Sequence, residues 1–218
     1  MITREQFDRF VLLQDDREFR LTHDALELAH FATVHHGDRV CDLGCGVGNL
    51  LLPLAQRADR LILDGVEIRA NAAALCRENL RINGLDGTVV CGDLNNRYAE
   101  LPWGSYDLVL SNPPYFPAGS GARSEDPGRS TARTEDSYTL ENACIAAQHL
   151  TGTGKRFALC LRPERMAEAC ALLRKHLLEP KRIQLLQPDI DRAPNLVLIE
   201  AVRQGRPGVQ ILPVRITI

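Results

Sequence analysis

Residues Arg39-Val-Cys-Asp-Leu-Gly-Cys-Gly-Val-Gly-Asn-Leu50 are the part of this sequence most informative about its fold. Its first five residues have the apolar character of a buried strand, and three glycines then lead into NLLLPLAQR, an apolar run typical of a helix. A strand that turns through glycines into a helix is the opening unit of a doubly wound α/β sheet. In such sheets the turn lies at the carboxyl edge, where ligands bind. The stretch therefore predicts an α/β fold with a ligand site at residues 42–49.

The remaining sequence repeats this alternation of short strands and helices. The last two strands follow one another through the turn-rich loop QPDIDRAP without a helix between them, which favours an antiparallel pair. We therefore predict a doubly wound, Rossmann-like, seven-stranded, mostly parallel sheet with an antiparallel C-terminal strand. The predicted strands are 39–43, 60–68, 87–91, 106–110, 156–161, 181–186 and 195–202, and the predicted helices are 49–57, 70–83, 138–150 and 164–178.

With 218 residues, the chain fits one domain with a substantial core. We assign residues 39–218 to that domain and residues 1–38 to an N-terminal appendage that packs over the ligand site. Within the appendage, Thr22 and Asp24 precede the apolar-periodic stretch 25–34, and either side chain is a suitable helix cap.

The sequence has no apolar run near the ~20 residues that span a membrane. The N-terminus, MITREQFDRF, carries charges where a secretory signal has an apolar core, so we expect a cytoplasmic protein. Seven cysteines without a CxxC pair favour reduced, structural thiols in a reducing compartment. We accordingly expect no metal site and no contact with a membrane.

The net charge of −2 gives no global indication of nucleic-acid binding, but the charges are unevenly distributed. Residues 151–182 contain eight basic and three acidic side chains, which suits either a phosphate-facing patch or an ordinary solvated helix face. Residues 117–137, PAGSGARSEDPGRSTARTEDS, form a long polar segment. Long loops in compact domains are usually functional or disordered, and this position favours a substrate lid over an inert linker.

Spacing excludes two common ligand classes at the glycine-rich turn. A dinucleotide fingerprint that begins at Gly44 and Gly46 needs a third glycine at the position of Asn49, and no Gly-Lys-Ser/Thr phosphate loop is present. The remaining pattern, D-x-G-x-G-x-G from Asp42 to Gly48, resembles the first motif of class I S-adenosylmethionine methyltransferases. This resemblance implies S-adenosylmethionine as the cofactor, with a backbone that approaches it closely.

Two acidic residues at the ends of the next strands support the same cofactor. Glu67 ends the second predicted strand, where a carboxylate can accept hydrogen bonds from both ribose hydroxyls. Asp93 ends the third predicted strand. The resemblance to methyltransferases implies that the residue at this position recognises the adenine amino group of the cofactor.

The fourth predicted strand runs into Asn112-Pro113-Pro114-Tyr115, which resembles the signature of amino methyltransferases. A conjugated amine is a poor nucleophile because its lone pair is delocalised. The Asn112 side-chain carbonyl and the Pro113 backbone carbonyl can accept its two N–H groups and point the lone pair at the cofactor methyl. Two prolines fix these acceptors, and Tyr115 offers a face on which a planar group can stack. This motif requires no metal.

Three further segments resemble the bacterial tRNA(Val) adenine-N6 methyltransferase family: RLTHDAL at 20–26, NPPYF at 112–116 and ARTE at 132–135. The resemblance covers nearly the whole chain. It implies methylation of N6 of the adenosine at tRNA position 37, and it places Arg20, Thr22 and Asp24 near the methionyl end of the cofactor.

An adenine in an anticodon loop must leave its stack to reach such a site. We therefore expect RNA contacts from Phe116 and from three arginines of the long polar segment, Arg123, Arg129 and Arg133.

Other substrates and one other class remain open. The glutamine N5-methyltransferases of peptide release factors share Asn-Pro-Pro-Tyr, but resemble a fold with a separate helical N-terminal domain, for which about 38 preceding residues are too few. A guanine-N2 rRNA methyltransferase is the weaker alternative. A non-catalytic RNA-binding module is a third possibility, although such a module needs neither the cofactor motif nor Asn112.

Overall fold

A computed structural model describes residues 1–15, 21–113 and 138–217 of the chain. Their centre is a mostly parallel sheet with the order β5-β4-β3-β6-β7-β9-β8. The strands are β3 Arg39–Leu43, β4 Ile62–Glu67, β5 Val89–Cys91, β6 Tyr106–Ser111, β7 Thr151–Leu161, β8 Leu178–Gln187 and β9 Leu196–Arg203. The predicted α/β class and the mostly parallel sheet are confirmed.

Strand β9 is the antiparallel strand of this sheet, and it pairs with both β7 and β8. Beyond the seven predicted strands, β10 Gln210–Ile211 and β11 Arg215–Ile216 both pair in parallel with β8. These two-residue strands have exposed side chains. They therefore lack the buried apolar pattern by which sequence reasoning finds strands.

Helices cover both faces of the sheet, as a doubly wound fold requires. One core contains residues of α1 His23–Phe31, α2 Leu51–Ala55 and α3 Ala70–Ile82, and the other contains residues of α4 Leu140–Leu150 and α5 Met166–Lys175. Successive side chains of strand β6 point to opposite faces of the sheet, so Leu108 and Leu110 belong to the first core and Val109 to the second. None of the helices within the described ranges is long and apolar enough to cross a membrane.

The N-terminal residues form an antiparallel hairpin of β1 Ile2–Gln6 and β2 Val11–Asp15. The sequence did not predict these strands, because β1 has no buried residue and so shows no alternation. The hairpin joins the body of the protein through hydrogen bonds from β2 to Asn79 and Asn83, at α3 and its C-terminal end.

Candidate cofactor and methyl-transfer site

The cofactor motif is a tight turn between β3 and α2, and we call residues 44–48 the glycine turn. Gly44, Gly46 and Gly48 have φ angles of +74°, +54° and +98°, in the region that disfavours residues with a side chain. At Gly44 a Cβ atom would also lie 2.6 Å from Cε1 of Tyr138. Backbone conformation and packing therefore both require glycine at this position.

Glu67 ends β4 directly beside the glycine turn and is 4 % exposed. Its Oε2 accepts a hydrogen bond from the Gly46 amide at 2.9 Å. Its Oε1 accepts from the backbone and side-chain nitrogens of Arg69 at 3.0 and 2.9 Å. An ionised carboxylate has about four acceptor positions, so capacity remains for a ligand hydroxyl. The carboxylate thus anchors the turn, a role that the sequence did not reveal.

Asp42, at the carboxyl end of β3, is a buried carboxyl group of the site. It is 1 % exposed, and its Oδ1 has no hydrogen-bond partner among the described residues. Burial, reinforced by the nearby charge of Glu67, raises the pKa of Asp42 well above its usual value. A buried carboxyl with an unsatisfied oxygen suits a cationic ligand, and S-adenosylmethionine carries an ammonium and a sulfonium group. The residues present therefore fit this cofactor.

Asp93 lies two residues beyond the end of β5 and is half-buried. Its Oδ1 accepts hydrogen bonds from the backbone and side-chain nitrogens of Asn95 at 2.9 and 2.7 Å. Its backbone oxygen accepts from the Tyr98 hydroxyl at 3.0 Å. These bonds hold Asp93 in a turn beside Glu67, on the neighbouring strand β4.

Asn112 and Pro113 follow β6 at the same edge of the sheet as the glycine turn. Strands β3 and β6 are parallel neighbours, and Leu43 pairs with Ser111. The Sγ atom of Cys160, on β7, donates a hydrogen bond to Oδ1 of Asn112 at 3.1 Å. This bond uses one lone pair of the amide oxygen and leaves a second one for an acceptor amine. The sequence placed Cys160 only in an apolar run and gave no sign of this contact.

Tyr138 is a second site residue that the sequence analysis missed. Its hydroxyl lies 2.7 Å from Oγ of Ser111 and donates a hydrogen bond to the backbone oxygen of Leu43. Burial raises the pKa of Tyr138 well above its usual value, so the phenol is neutral at physiological pH. The tyrosine joins the strand that precedes the glycine turn to the strand that precedes Asn112.

Thr22 caps helix α1, and its Oγ1 accepts a hydrogen bond from the Ala25 amide at 3.3 Å. Asp24 lies in the first turn of α1 and not at the cap. Of the two candidate caps, the structure therefore uses Thr22.

The other predicted site residues lie outside the described residues, and their roles remain predictions: Arg20, Pro114, Tyr115, Phe116, Arg123, Arg129 and Arg133.

Most basic side chains of residues 151–182 have acidic partners, a pattern that supports the solvated-face interpretation over a free phosphate-binding patch. The pairs are Lys155–Asp107, Arg156–Asp38, Arg165–Glu168, Arg174–Glu179, Lys175–Glu141 and Arg182–Glu200, at 2.6 to 3.2 Å.

Within the described part of the chain, no group of three or more His, Cys, Asp or Glu side chains could hold a metal ion.

Comparison with known proteins identifies the family of this chain. The model of the methyltransferase small domain matches residues 24–125. A tRNA1(Val) (adenine(37)-N6)-methyltransferase of Aeromonas salmonicida is 35% identical over 170 residues, which cover 74% of this chain and 67% of that protein.

Solved structures show the same fold. A predicted O-methyltransferase of Agrobacterium tumefaciens has a TM-score of 0.70 at 20% identity, over 88% of this chain and 86% of that one. The geranyl diphosphate C-methyltransferase of Streptomyces coelicolor, solved with S-adenosyl-L-homocysteine, has a TM-score of 0.61 at 15% identity, over 82% and 79% of the two chains. The chain is an S-adenosylmethionine-dependent methyltransferase, and it belongs to the family of the tRNA1(Val) (adenine(37)-N6)-methyltransferases.

Proposed function

We propose that this enzyme methylates the exocyclic N6 amine of an adenine in RNA, and that the substrate is the adenosine at position 37 of a tRNA. The single observation that carries the proposal is the position of Asn112. It follows β6 at the sheet edge that holds the glycine turn, and Cys160 restrains its amide oxygen. An amide acceptor at this point suits a planar amine better than a hydroxyl or carbon acceptor.

The cofactor occupies the carboxyl edge of β3, β4 and β5 in this proposal. The bound cofactor supplies an electrophilic methyl group on sulfur. Glu67 accepts hydrogen bonds from its ribose hydroxyls, and Asp93 from its adenine amino group. Asp42 offsets the positive charge of its methionyl end, where the family resemblance also places Arg20, Thr22 and Asp24. The backbone of the glycine turn, at Gly44, Gly46 and Gly48, allows the close approach that this arrangement needs.

Asn112 and Pro113 orient the acceptor amine. The side-chain oxygen of Asn112 and the backbone oxygen of Pro113 accept its two N–H groups, so that the lone pair faces the methyl group in line. Pro113 is buried, and proline has a fixed φ, so the backbone acceptor is preorganised. Pro114 and Tyr115 complete the motif, and the Tyr115 ring stacks on the flipped base.

Local basic side chains hold the RNA backbone, because the chain as a whole is acidic, with a net charge of −2. Most basic residues of the 151–182 stretch are already in ion pairs. We therefore assign phosphate contacts to Arg123, Arg129 and Arg133, and a base contact to Phe116. We extend the proposal to the N-terminal appendage, residues 1–38, which packs over the cofactor site.

The test is a methylation assay with radiolabelled S-adenosylmethionine and three separate substrates: unmodified bulk tRNA, ribosomal RNA and a peptide release factor. Label in tRNA that digests to N6-methyladenosine is the expected result. Label in release factor would identify a glutamine N5-methyltransferase, and N2-methylguanosine from ribosomal RNA a guanine enzyme. Either outcome would replace the proposal. Binding of RNA without label in any substrate would favour the non-catalytic module.

A further inference from the structure

Two asparagines of helix α3 and its C-terminal end bind the edge of strand β2 as a neighbouring strand would. Asn83 accepts from the Val11 amide at 2.8 Å and donates to the Val11 oxygen at 2.7 Å. Asn79 accepts from the Leu13 amide at 2.8 Å and donates to the Leu13 oxygen at 2.9 Å. Each side-chain amide thus reproduces the donor and acceptor pair of a peptide group.

The spacing of the two asparagines explains why a helix can bind a strand in this way. Residues four apart on a helix are separated by about 6 Å along its axis. Residues two apart on a strand are separated by about 6.6 Å and point their backbone groups to the same side. Asn79 and Asn83 therefore match Val11 and Leu13 in register.

Asn79 differs from Asn83 in one further contact. Its Nδ2 also donates to the backbone oxygen of Val47 at 2.8 Å, between Gly46 and Gly48 of the glycine turn. Asn79 is 0 % exposed, and a buried carbonyl that loses its donor is costly to the protein. Asn83 instead donates to the backbone oxygen of Asn79 at 2.7 Å and is only half-buried.

We propose that Asn79 is a positioning residue for cofactor binding, which fixes the glycine turn and couples it to the N-terminal hairpin. The inference rests on the assignment of the glycine turn to the cofactor in the proposed function. A peptide between two glycines has many accessible conformations, and the Asn79 bond selects one of them before the cofactor arrives. Without it, binding must order the turn, and that ordering lowers affinity. The Gly46 amide that binds Glu67 belongs to the same turn.

Asn79→Ala and Asn83→Ala form a matched pair for the test. Each removes both hydrogen bonds of one side chain to β2, but only the first releases Val47. Calorimetry should show the Kd for S-adenosylhomocysteine raised about tenfold in Asn79→Ala, as expected for one buried hydrogen bond, and less than about twofold in Asn83→Ala. The KM for S-adenosylmethionine should rise in the same ratio, while kcat at saturating cofactor stays near the wild-type value. Equal Kd values in the two folded variants would overturn the proposal.

Hydrogen exchange in the unsubstituted protein supplies a second test that does not depend on the folding of a variant. Coupling between two sites is reciprocal, so S-adenosylhomocysteine should slow exchange of the Leu13 amide more than that of the Val11 amide. Equal slowing, or none, contradicts the coupling. Glu67→Gln distinguishes a wrong cofactor assignment from a wrong role for Asn79. If it leaves the Kd unchanged, the cofactor assignment is wrong. If it weakens binding but Asn79→Ala behaves like Asn83→Ala, only the role of Asn79 is wrong.

Discussion

The hydroxyl of Tyr138 lies 2.7 Å from that of Ser111, and it also hydrogen bonds to the backbone oxygen of Leu43. Leu43 immediately precedes the glycine turn, and Ser111 immediately precedes Asn112. Strands β3 and β6 are paired, and this hydroxyl adds a bridge between the segment that we assign to the methyl donor and the segment that we assign to the acceptor. Methyl transfer depends steeply on the distance between donor and acceptor.

Tyr138→Phe should lower kcat about tenfold, or about 1.4 kcal/mol of barrier, with little change in the KM for S-adenosylmethionine. The ring stays against Gly44, but the two strand ends lose their common hydrogen-bond partner. Tyr106→Phe is the control, because Tyr106 begins β6, and its hydroxyl donates to the buried Asp64 at 2.8 Å. That variant should lose stability and keep kcat. A kcat for Tyr138→Phe equal to that of the control would show that the hydroxyl has a structural role alone.

Asn112→Ala should abolish turnover and leave the affinity for S-adenosylhomocysteine within about twofold of the unsubstituted value. Turnover and cofactor affinity should respond differently, because in the proposed role Asn112 acts on the acceptor amine and not on the cofactor. Single-turnover kinetics and calorimetry measure the two quantities separately. A rate reduced by less than about tenfold, or roughly 1.4 kcal/mol, would show that Asn112 does not orient the amine.

Asp42→Asn should stabilise the cofactor-free protein and weaken cofactor binding. The folded-state pKa of Asp42 is raised above the unfolded value, so its protonation favours folding at low pH, and this contribution is lost as pH rises through the folded pKa. The gain in melting temperature should therefore be larger at pH 8 than at pH 5. Thermal unfolding at both pH values measures it. A variant that gains no stability at pH 8 would contradict an unfavourable buried charge.

Replacing Arg129 and Arg133 together by alanine should raise the KM for tRNA and flatten the salt dependence of binding by up to about two units of slope. Each arginine that contacts a phosphate releases about one counterion. The affinity for S-adenosylmethionine should not change. Arg174→Ala is a suitable control, because Arg174 forms an ion pair with Glu179 at 3.2 Å. If only the control flattened the slope, the 151–182 surface would be the phosphate-binding face.

Sequence reasoning located the central strands because their apolar runs end in recognisable motifs. The prediction for β3 matches residue for residue, and Glu67 stands at the end of β4 as expected. Helix α2 was predicted over 49–57 but begins only at Leu51, because residues 49 and 50 still belong to the turn that follows β3. Strand β7 begins at Thr151 rather than at 156, and the two glycines in TGTGK are a residue type that is depleted in strands.

The residues that support the site were harder to predict than those that form it. Glu67 and Asp93 stand at strand ends, and a local pattern reveals them. Tyr138 meets Leu43 across 95 positions of sequence, and Asn79 meets Val47 across 32. Neither contact has a periodicity or a motif, because each depends on how the sheet brings distant segments together.

The asparagine pair that holds β2 also provides a marker for comparing sequences. In Asn79-Leu-Arg-Ile-Asn83, each side-chain amide forms the hydrogen bonds that a peptide group of a neighbouring strand would form with β2. Alanine, lysine and glutamate cannot do this, because none of them has both a donor and an acceptor in its side chain. Among proteins with this sheet, we expect Asn-x-x-x-Asn at the end of the second crossover helix wherever an N-terminal strand lies alongside that helix. Where the pair is interrupted, we expect the residues before the first parallel strand to pack elsewhere and to have no hydrogen-bonded link to the glycine turn.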